Sequence, residues 1–240
     1  MNSLHLDLPE SQLVLNAQDK FQKQIIAANY AIISAINGTM DFDAPIAANL
    51  FGLSNEHLAL ITGATKIALA TALTIGLPIF SLRIATMGFM NVLNEPQGTD
   101  TAMTMLLGTF DQAPPLLSLG EPFSVQRPPN SSEAMLEVQD GARRLIELAN
   151  YSVLDAVRSL QTFDDPLASH LFGAEQDVLL ALSQLPRART LQLVLTGVPI
   201  FAVRQDWPQA LLFAENDGIS APVSMLLNSF GLASLSAMSA

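Results

Sequence analysis

The chain has 240 residues, of which 50% are hydrophobic, and its formal net charge is −11. A surface this acidic repels phosphate backbones, which argues against strong nucleic-acid binding by the chain alone. Because the sequence contains no cysteine, disulfides, thiol nucleophiles and cysteine-based zinc sites are excluded.

The first residues lack the basic start and apolar run of a signal peptide. The uncharged stretch 67–82 is shorter than the roughly 20 residues of a membrane-spanning helix, and Gly76 and Pro78 interrupt it. We therefore expect a cytoplasmic protein that does not enter a membrane.

The first predicted element is a helix over 21–37, where apolar residues recur at helical spacing. Gly38 is predicted to end it. Asp43 stands two residues before Pro45, which is typical of a helix N-cap with proline in the first turn. This second helix is expected to be short and to end at Gly52.

Ser54 is predicted to cap a third helix, and a fourth helix is expected over 65–75. The segment 77–84 then has the composition of a short strand. A last helix is predicted to begin at Thr99 or Asp100.

The same succession of motifs occurs twice in the chain. Asn29-Tyr30 and Asn150-Tyr151 lie 121 positions apart (150 − 29), and this offset needs no gap between Ile25 and Arg83. The match resumes at offset 120 (225 − 105) between the Met-Leu-Leu sequences at 105–107 and 225–227. Other matched segments are Phe42-Asp43 with Phe163-Asp164, Leu50-Phe51-Gly52 with Leu171-Phe172-Gly173, and 76–80 with 197–201. An ungapped match of this length predicts two copies of one structural unit.

The repeat divides the chain into an N-terminal arm (1–20), a first module (21–110), a Pro-rich linker (111–141), a second module (142–231) and a tail (232–240). The predicted fold class is mainly all-α, with the two modules forming an intramolecular pseudo-dimer and one short strand in each module. Because the backbone of a strand needs hydrogen-bonding partners, we expect the two strands to pair with each other.

No arrangement typical of catalysis or of cofactor binding occurs in the sequence. His5, His57 and His170 are not at equivalent positions of the two copies, and their spacing is not that of a metal site. Asp43 and Asp164 do repeat, but helix capping accounts for both. We therefore expect no catalytic residue, no metal site and no cofactor, and an enzyme is the least favoured class.

The repeated Asn-Tyr pairs, at 29–30 and 150–151, are predicted to pack in the core with each tyrosine hydroxyl hydrogen-bonded. A role in recognition is the less favoured interpretation of these pairs.

Basic residues are few, and five of them are candidate contacts to nucleic acid or to a partner protein. Lys66 is equivalent to Arg187, Arg83 is equivalent to Arg204, and Arg189 follows Arg187 on the same predicted helix. The third and fourth helices together resemble a helix-turn-helix, in which the start of the second helix contacts bases. An ordinary solvated helix face fits the same residues.

Five segments follow the order and spacing of one known family: 29–35, 50–56, 79–83, 105–109 and, in the second copy, Leu185-Pro186. On these segments each module resembles FlhD, the subunit that acts with FlhC as activator of flagellar genes. The resemblance covers most of 21–110 and 142–230. FlhD-like chains can carry a cysteine where Phe80 and Phe201 stand here.

The resemblance implies an all-α, intertwined dimer that associates with FlhC, the zinc-carrying partner, and reaches promoter DNA only in that complex. For this chain it implies a transcription-regulator subunit with an FlhC-like or other DNA-binding partner and with self-association through the module interface. The alternative is a protein-interaction or assembly adaptor of a secretion or motility system that makes no DNA contact.

Overall fold

The structure, a computed structural model, describes residues 10–112, 133–208 and 211. Within these residues the chain forms ten helices and two short strands, which confirms the mainly helical fold class. The first half (10–112) contains α1 (Glu10–Met40), α2 (Ala44–Phe51), α3 (Asn55–Gly63), α4 (Lys66–Leu73), β1 (Phe80–Leu82), α5 (Met87–Asn94) and α6 (Thr99–Leu107). The second half (133–211) contains α7 (Glu133–Phe163), α8 (Asp165–Phe172), α9 (Gln176–Ser183), α10 (Arg187–Val194) and β2 (Phe201–Val203).

The two long helices, α1 and α7, make the most extensive contact between elements of the fold. Each has 31 residues and contains no proline, so the backbone hydrogen bonds continue without interruption. Both helices therefore run through predicted segment boundaries, α1 from the arm into the first module and α7 from the linker into the second module. The predicted boundaries after residues 20 and 141 thus fall inside helices, and the division into modules stays a prediction.

Gly38 lies inside α1 and does not end it, contrary to the prediction. A Cβ atom at this position would collide with the side chain of Leu145 on α7. The glycine therefore allows α7 to approach α1 closely, which is a tertiary requirement and not a stop signal.

The predicted caps of the second helix are confirmed in both halves. Asp43 accepts a hydrogen bond from Ile46 N at 2.9 Å, and Asp164 accepts one from Leu167 N at the same distance. Gly52 and Gly173 end α2 and α8 in the left-handed conformation, at φ 69° and 65°. Both signals are local, because a cap and a positive φ depend on a few consecutive residues.

Further differences from the sequence-based elements lie between α3 and the end of the first module. Ser54 caps α3 as predicted, and α4 and the strand are shorter than expected. Helix α5, capped by Thr86, was not predicted. Gly98 precedes α6, which begins at Thr99. The second Met-Leu-Leu sequence, at 225–227, and the predicted tail lie outside the described residues.

The expected pairing of the two strands is present. β1 and β2 are antiparallel, with Phe80 opposite Val203, Ser81 opposite Ala202 and Leu82 opposite Phe201. Since Phe80 and Phe201 are equivalent at the offset of 121 (201 − 80), the pairing is unchanged when the halves are exchanged. Each strand thus satisfies the backbone of its counterpart.

Four phenylalanine side chains, two from each half, form the buried centre beside this strand pair. Phe80 stacks on Phe172 with ring centroids 5.6 Å apart, and Phe201 lies 6.1 Å from both Phe51 and Phe80. All four are fully buried. The two halves therefore share one apolar core, which holds them together through the hydrophobic effect.

Candidate functional site

The repeated asparagines of α1 and α7 are fully buried, whereas the tyrosines beside them are not. Asn29 Nδ2 donates to Leu73 O at 3.2 Å and to Leu77 O at 2.9 Å, and its Oδ1 accepts from Ile79 N at 3.1 Å. Asn150 makes the equivalent bonds with Val194 O (3.2 Å), Val198 O (3.0 Å) and Ile200 N (3.1 Å). Each asparagine thereby fixes the segment that leads into its strand.

The prediction that Tyr30 and Tyr151 pack in the core is wrong. Their side chains are 42% and 55% exposed. Successive residues are about 100° apart around an α-helix, and in both halves the position after the buried asparagine lies on the solvent-facing side. The tyrosines are therefore available for contact with another molecule.

The Arg83 side chain connects separate segments of the protein to one another. Its Nε donates to Phe201 O across the two halves at 2.9 Å, while Nη1 and Nη2 donate to Thr109 O (2.8 Å) and Leu50 O (3.2 Å). The guanidinium lies 4.1 Å from the centre of the Phe110 ring. Burial lowers the pKa of Arg83 to about 10, an effect that Asp111 opposes, so the group stays charged at neutral pH.

Arg204 occupies the equivalent place directly after β2, as Arg83 directly follows β1. Its backbone N donates to Ile79 O, just as Arg83 N donates to Ile200 O. The side chain is 17% exposed and its Nε lies 3.8 Å from Asp206 Oδ1. Burial lowers the pKa of Arg204, and the negative charge of Asp206 acts in the opposite direction. Both strand arginines are therefore held within the fold.

Arg189 joins α10 of the second half to the first half. Its Nη2 donates to Glu95 O at 2.6 Å and its Nη1 to Thr99 Oγ1 at 3.0 Å and Gln192 Oε1 at 2.9 Å. The equivalent residue of the first half is Ala68, so the repeat contains no signal for this contact. Three of the five candidate residues thus bind groups of the protein itself.

Lys66 and Arg187 are the two candidates that remain exposed. They stand at the first positions of α4 and α10, as the resemblance to a helix-turn-helix predicts. They lie in different halves, and Arg187 lies near a second arginine, Arg158, which was not among the candidates. Arg158 is equivalent to Asn37 (158 − 121), so the comparison of the two copies gave no indication of it.

The two arginines belong to an open groove of about 590 Å³ between α7 and α10. Arg158 Nη2 donates to Thr190 Oγ1 at 2.7 Å, but its buried Nε has no hydrogen-bond partner in the described part of the chain. No described carboxylate lies within 4.0 Å of either guanidinium. The residues that line this α7–α10 groove are Tyr151, Arg158, Ser183, Leu185, Arg187, Thr190, Leu191 and Val194.

No family model, curated protein or solved structure matches the chain. Among residues 10–112 and 133–211 as described, no group of three or more His, Asp or Glu residues is arranged to hold a metal ion. Within the same residues, no helix is both long and apolar enough to cross a membrane.

Exposed apolar side chains lie in the α7–α10 groove and on the two helices that form it. Leu191 on α10 is 47% exposed and lines the groove, and Leu195, four residues later, is also 47% exposed. On α7, Leu148 is 53% exposed and lies three residues before Tyr151, which places the two on one helix face. The groove thus combines two positive charges with a rim of apolar groups, a composition suited to binding another protein.

Proposed function

We propose that the chain is a protein-binding regulatory subunit that reaches DNA only through a partner protein, as an FlhD-like subunit does. The proposal assigns it no catalytic step, metal or cofactor. It includes the cytoplasm as the compartment, because a subunit of a transcription complex acts where the chromosome lies.

The matching architecture of the two halves supports this proposal. Capped helices, buried asparagines and left-handed glycines recur 121 positions apart (173 − 52), and the strands pair symmetrically. A single chain built in this way presents two related surfaces in a fixed orientation. Because the two halves are covalently connected, each is present at a high effective concentration for the other. Separate subunits lack this advantage.

The environment of the arginines carries the proposal. Arg83, Arg189 and Arg204 are bound to groups of the fold, so they have little freedom to neutralise phosphates. Phosphate contacts by Lys and Arg provide most of the affinity for nucleic acid, and a net charge of −11 opposes it further. Any contact with DNA is therefore assigned to a partner, which exposed leucines and tyrosines would bind.

A second candidate function, an assembly adaptor without any DNA contact, is favoured by one specific observation. Lys66 and Arg187 are the two candidates that remain exposed, and they lie in different halves of the chain. One exposed candidate in each half provides little positive charge for binding DNA. If no partner supplies DNA affinity, the same protein-binding surfaces would serve assembly instead.

The experiment that tests the proposal measures DNA binding by the chain, by its partner and by the two together. The partner is obtained by affinity purification, and binding to duplexes enriched by the complex is followed by fluorescence anisotropy at physiological salt. We expect no binding by the chain alone and tighter binding by the partner when the chain is added. Binding by the chain alone, abolished by Lys66→Glu with Arg187→Glu, would contradict the proposal. A complex that never binds DNA would identify an adaptor.

A further inference from the structure

We propose that the α7–α10 groove binds an acidic amphipathic helix of a partner protein, with one carboxylate held by Arg158 and Arg187. Apolar side chains of that helix would lie against Tyr151 and Leu191. This inference rests on the proposed function, because it names the chemistry of the partner and the surface that receives it.

The groove carries positive charge that no described carboxylate balances. Arg158 is partly buried, donates to a neutral hydroxyl, Thr190 Oγ1, and keeps an unpartnered buried Nε. Partial burial of a guanidinium without an anion is costly, and a carboxylate restores part of the lost stabilisation through charge-assisted hydrogen bonds. Arg187 lines the same groove and brings a second positive charge. An anionic group is therefore the complementary occupant.

The apolar part of the groove lining selects a protein and not a nucleic acid. Leu185, Leu191 and Val194 line the groove, and Tyr151 adds an aromatic face. A phosphate backbone offers nothing to bury against these groups. In a helix, a carboxylate and a leucine three or four residues apart lie on one face and match this mixture. Docking of an amphipathic helix into a groove is a recurrent mode of recognition.

The two halves differ in the residues that form this groove. At the positions equivalent to Arg158, Arg187 and Thr190 the first half carries Asn37, Lys66 and Leu69. The first half thus retains a single positive charge there and lacks the arginine that donates to a hydroxyl. Specificity for a carboxylate is therefore assigned to the second half, and Lys66 provides a matched control.

The proposal is tested with a phage-displayed library of helix-forming peptides selected on the full chain. Dissociation constants of the selected peptides are measured by fluorescence anisotropy for the wild type, Arg187→Glu, Arg158→Asn and Lys66→Glu. We expect selected peptides to carry Asp or Glu three or four positions from Leu or Phe. Arg187→Glu and Arg158→Asn should each weaken binding about tenfold or more, whereas Lys66→Glu should leave it unchanged.

A reversal of charge provides the internal check. Peptides in which the acidic residue is changed to lysine should bind Arg187→Glu more tightly than they bind the wild type. Arg187 is exposed, so Arg187→Glu should fold normally, and far-ultraviolet circular dichroism confirms this. Selection of no peptide, selection of peptides without acidic residues, or equal binding by Arg187→Glu would overturn the proposal. So would duplex DNA that binds through Arg187.

The partner obtained by affinity purification separates this failure from failure of the proposed function. If that partner binds the wild type and the double variant Arg158→Asn/Arg187→Glu equally, the groove is not its site, whereas the regulatory role stands. If the partner's binding is lost in the double variant and kept in Lys66→Glu, the groove is its site.

Discussion

Replacing Arg83 with methionine tests whether this residue is a structural connection or a surface contact. Methionine keeps much of the aliphatic stem but removes three hydrogen bonds that a charged group donates to backbone carbonyls. Each such bond contributes about 1.5 kcal/mol or more, and the contact with the Phe110 ring adds about 0.5 kcal/mol. The burial that lowers the pKa of Arg83 to about 10 offsets part of this total. We expect a loss of about 3 kcal/mol in the free energy of unfolding.

Urea unfolding followed by tryptophan fluorescence measures this loss. Trp207 is the single tryptophan of the chain and is fully buried, so its emission reports the exposure of the core beside β2. Arg187→Met is the control, because this exposed arginine forms no ion pair with a described residue, and its effect should stay within about 0.5 kcal/mol. Equal urea midpoints for Arg83→Met and Arg187→Met would refute the structural role of Arg83. Arg83 would then again be a candidate for contact with nucleic acid or a partner protein.

Two further stability predictions use the same fluorescence assay, and each has a control on the same helix or in the same half. Asn29→Ala leaves two carbonyls, including Leu73 O, and one amide without their partner, so we expect a loss of about 3 kcal/mol in the free energy of unfolding. The control is Asn37→Ala, at an exposed position of α1, which should change this free energy by less than about 0.5 kcal/mol. An equal effect of the two asparagine variants would rule out the anchoring role. Gly52→Ala places a side chain at φ 69° and should cost about 1 kcal/mol or more, whereas Gly63→Ala, where a Cβ meets no atom within 4 Å, should be neutral or stabilising. A neutral Gly52→Ala would contradict the conformational argument.

The parts of the fold that could be predicted from the sequence are those set by consecutive residues. Asp43 and Gly52 mark the two ends of α2, and their equivalents do so in α8, because capping and the left-handed conformation are local. The strand pairing followed from the repeat, since two equivalent short strands each need a partner and each half supplies one.

Features that depend on contacts between distant segments were not predictable in this way. Gly38 is of the residue type that often ends a helix, yet its role here is to leave space for the side chain of Leu145 from the other half. Tyr30 is an aromatic residue that faces solvent, whereas the polar Asn29 beside it is buried and hydrogen-bonded. Arg83 gives no sign in the sequence that its guanidinium points into the protein and not outward.

The candidate groove shows the limit of a comparison between the two copies. Such a comparison identifies residues that both halves retain, and these are mostly residues of the core and the caps. Arg158 differs from Asn37, its equivalent, so the repeat identifies it neither as structural nor as functional. Only the position of α7 beside α10 brings Arg158 and Arg187 to one surface.

Whether the two halves of one chain pair with each other is measured most directly by a disulfide across the strands. The sequence contains no cysteine, and Ser81 lies opposite Ala202 in the antiparallel pair. Opposite residues have Cα atoms about 4.5 to 5.5 Å apart, within the range that a disulfide spans. Oxidation of Ser81→Cys/Ala202→Cys should therefore give a cross-linked monomer whose mass is lower by two hydrogen atoms, with Ser81→Cys alone as control. Disulfide-linked dimers that persist on dilution, or the absence of any cross-link, would contradict the pairing of the halves within one chain.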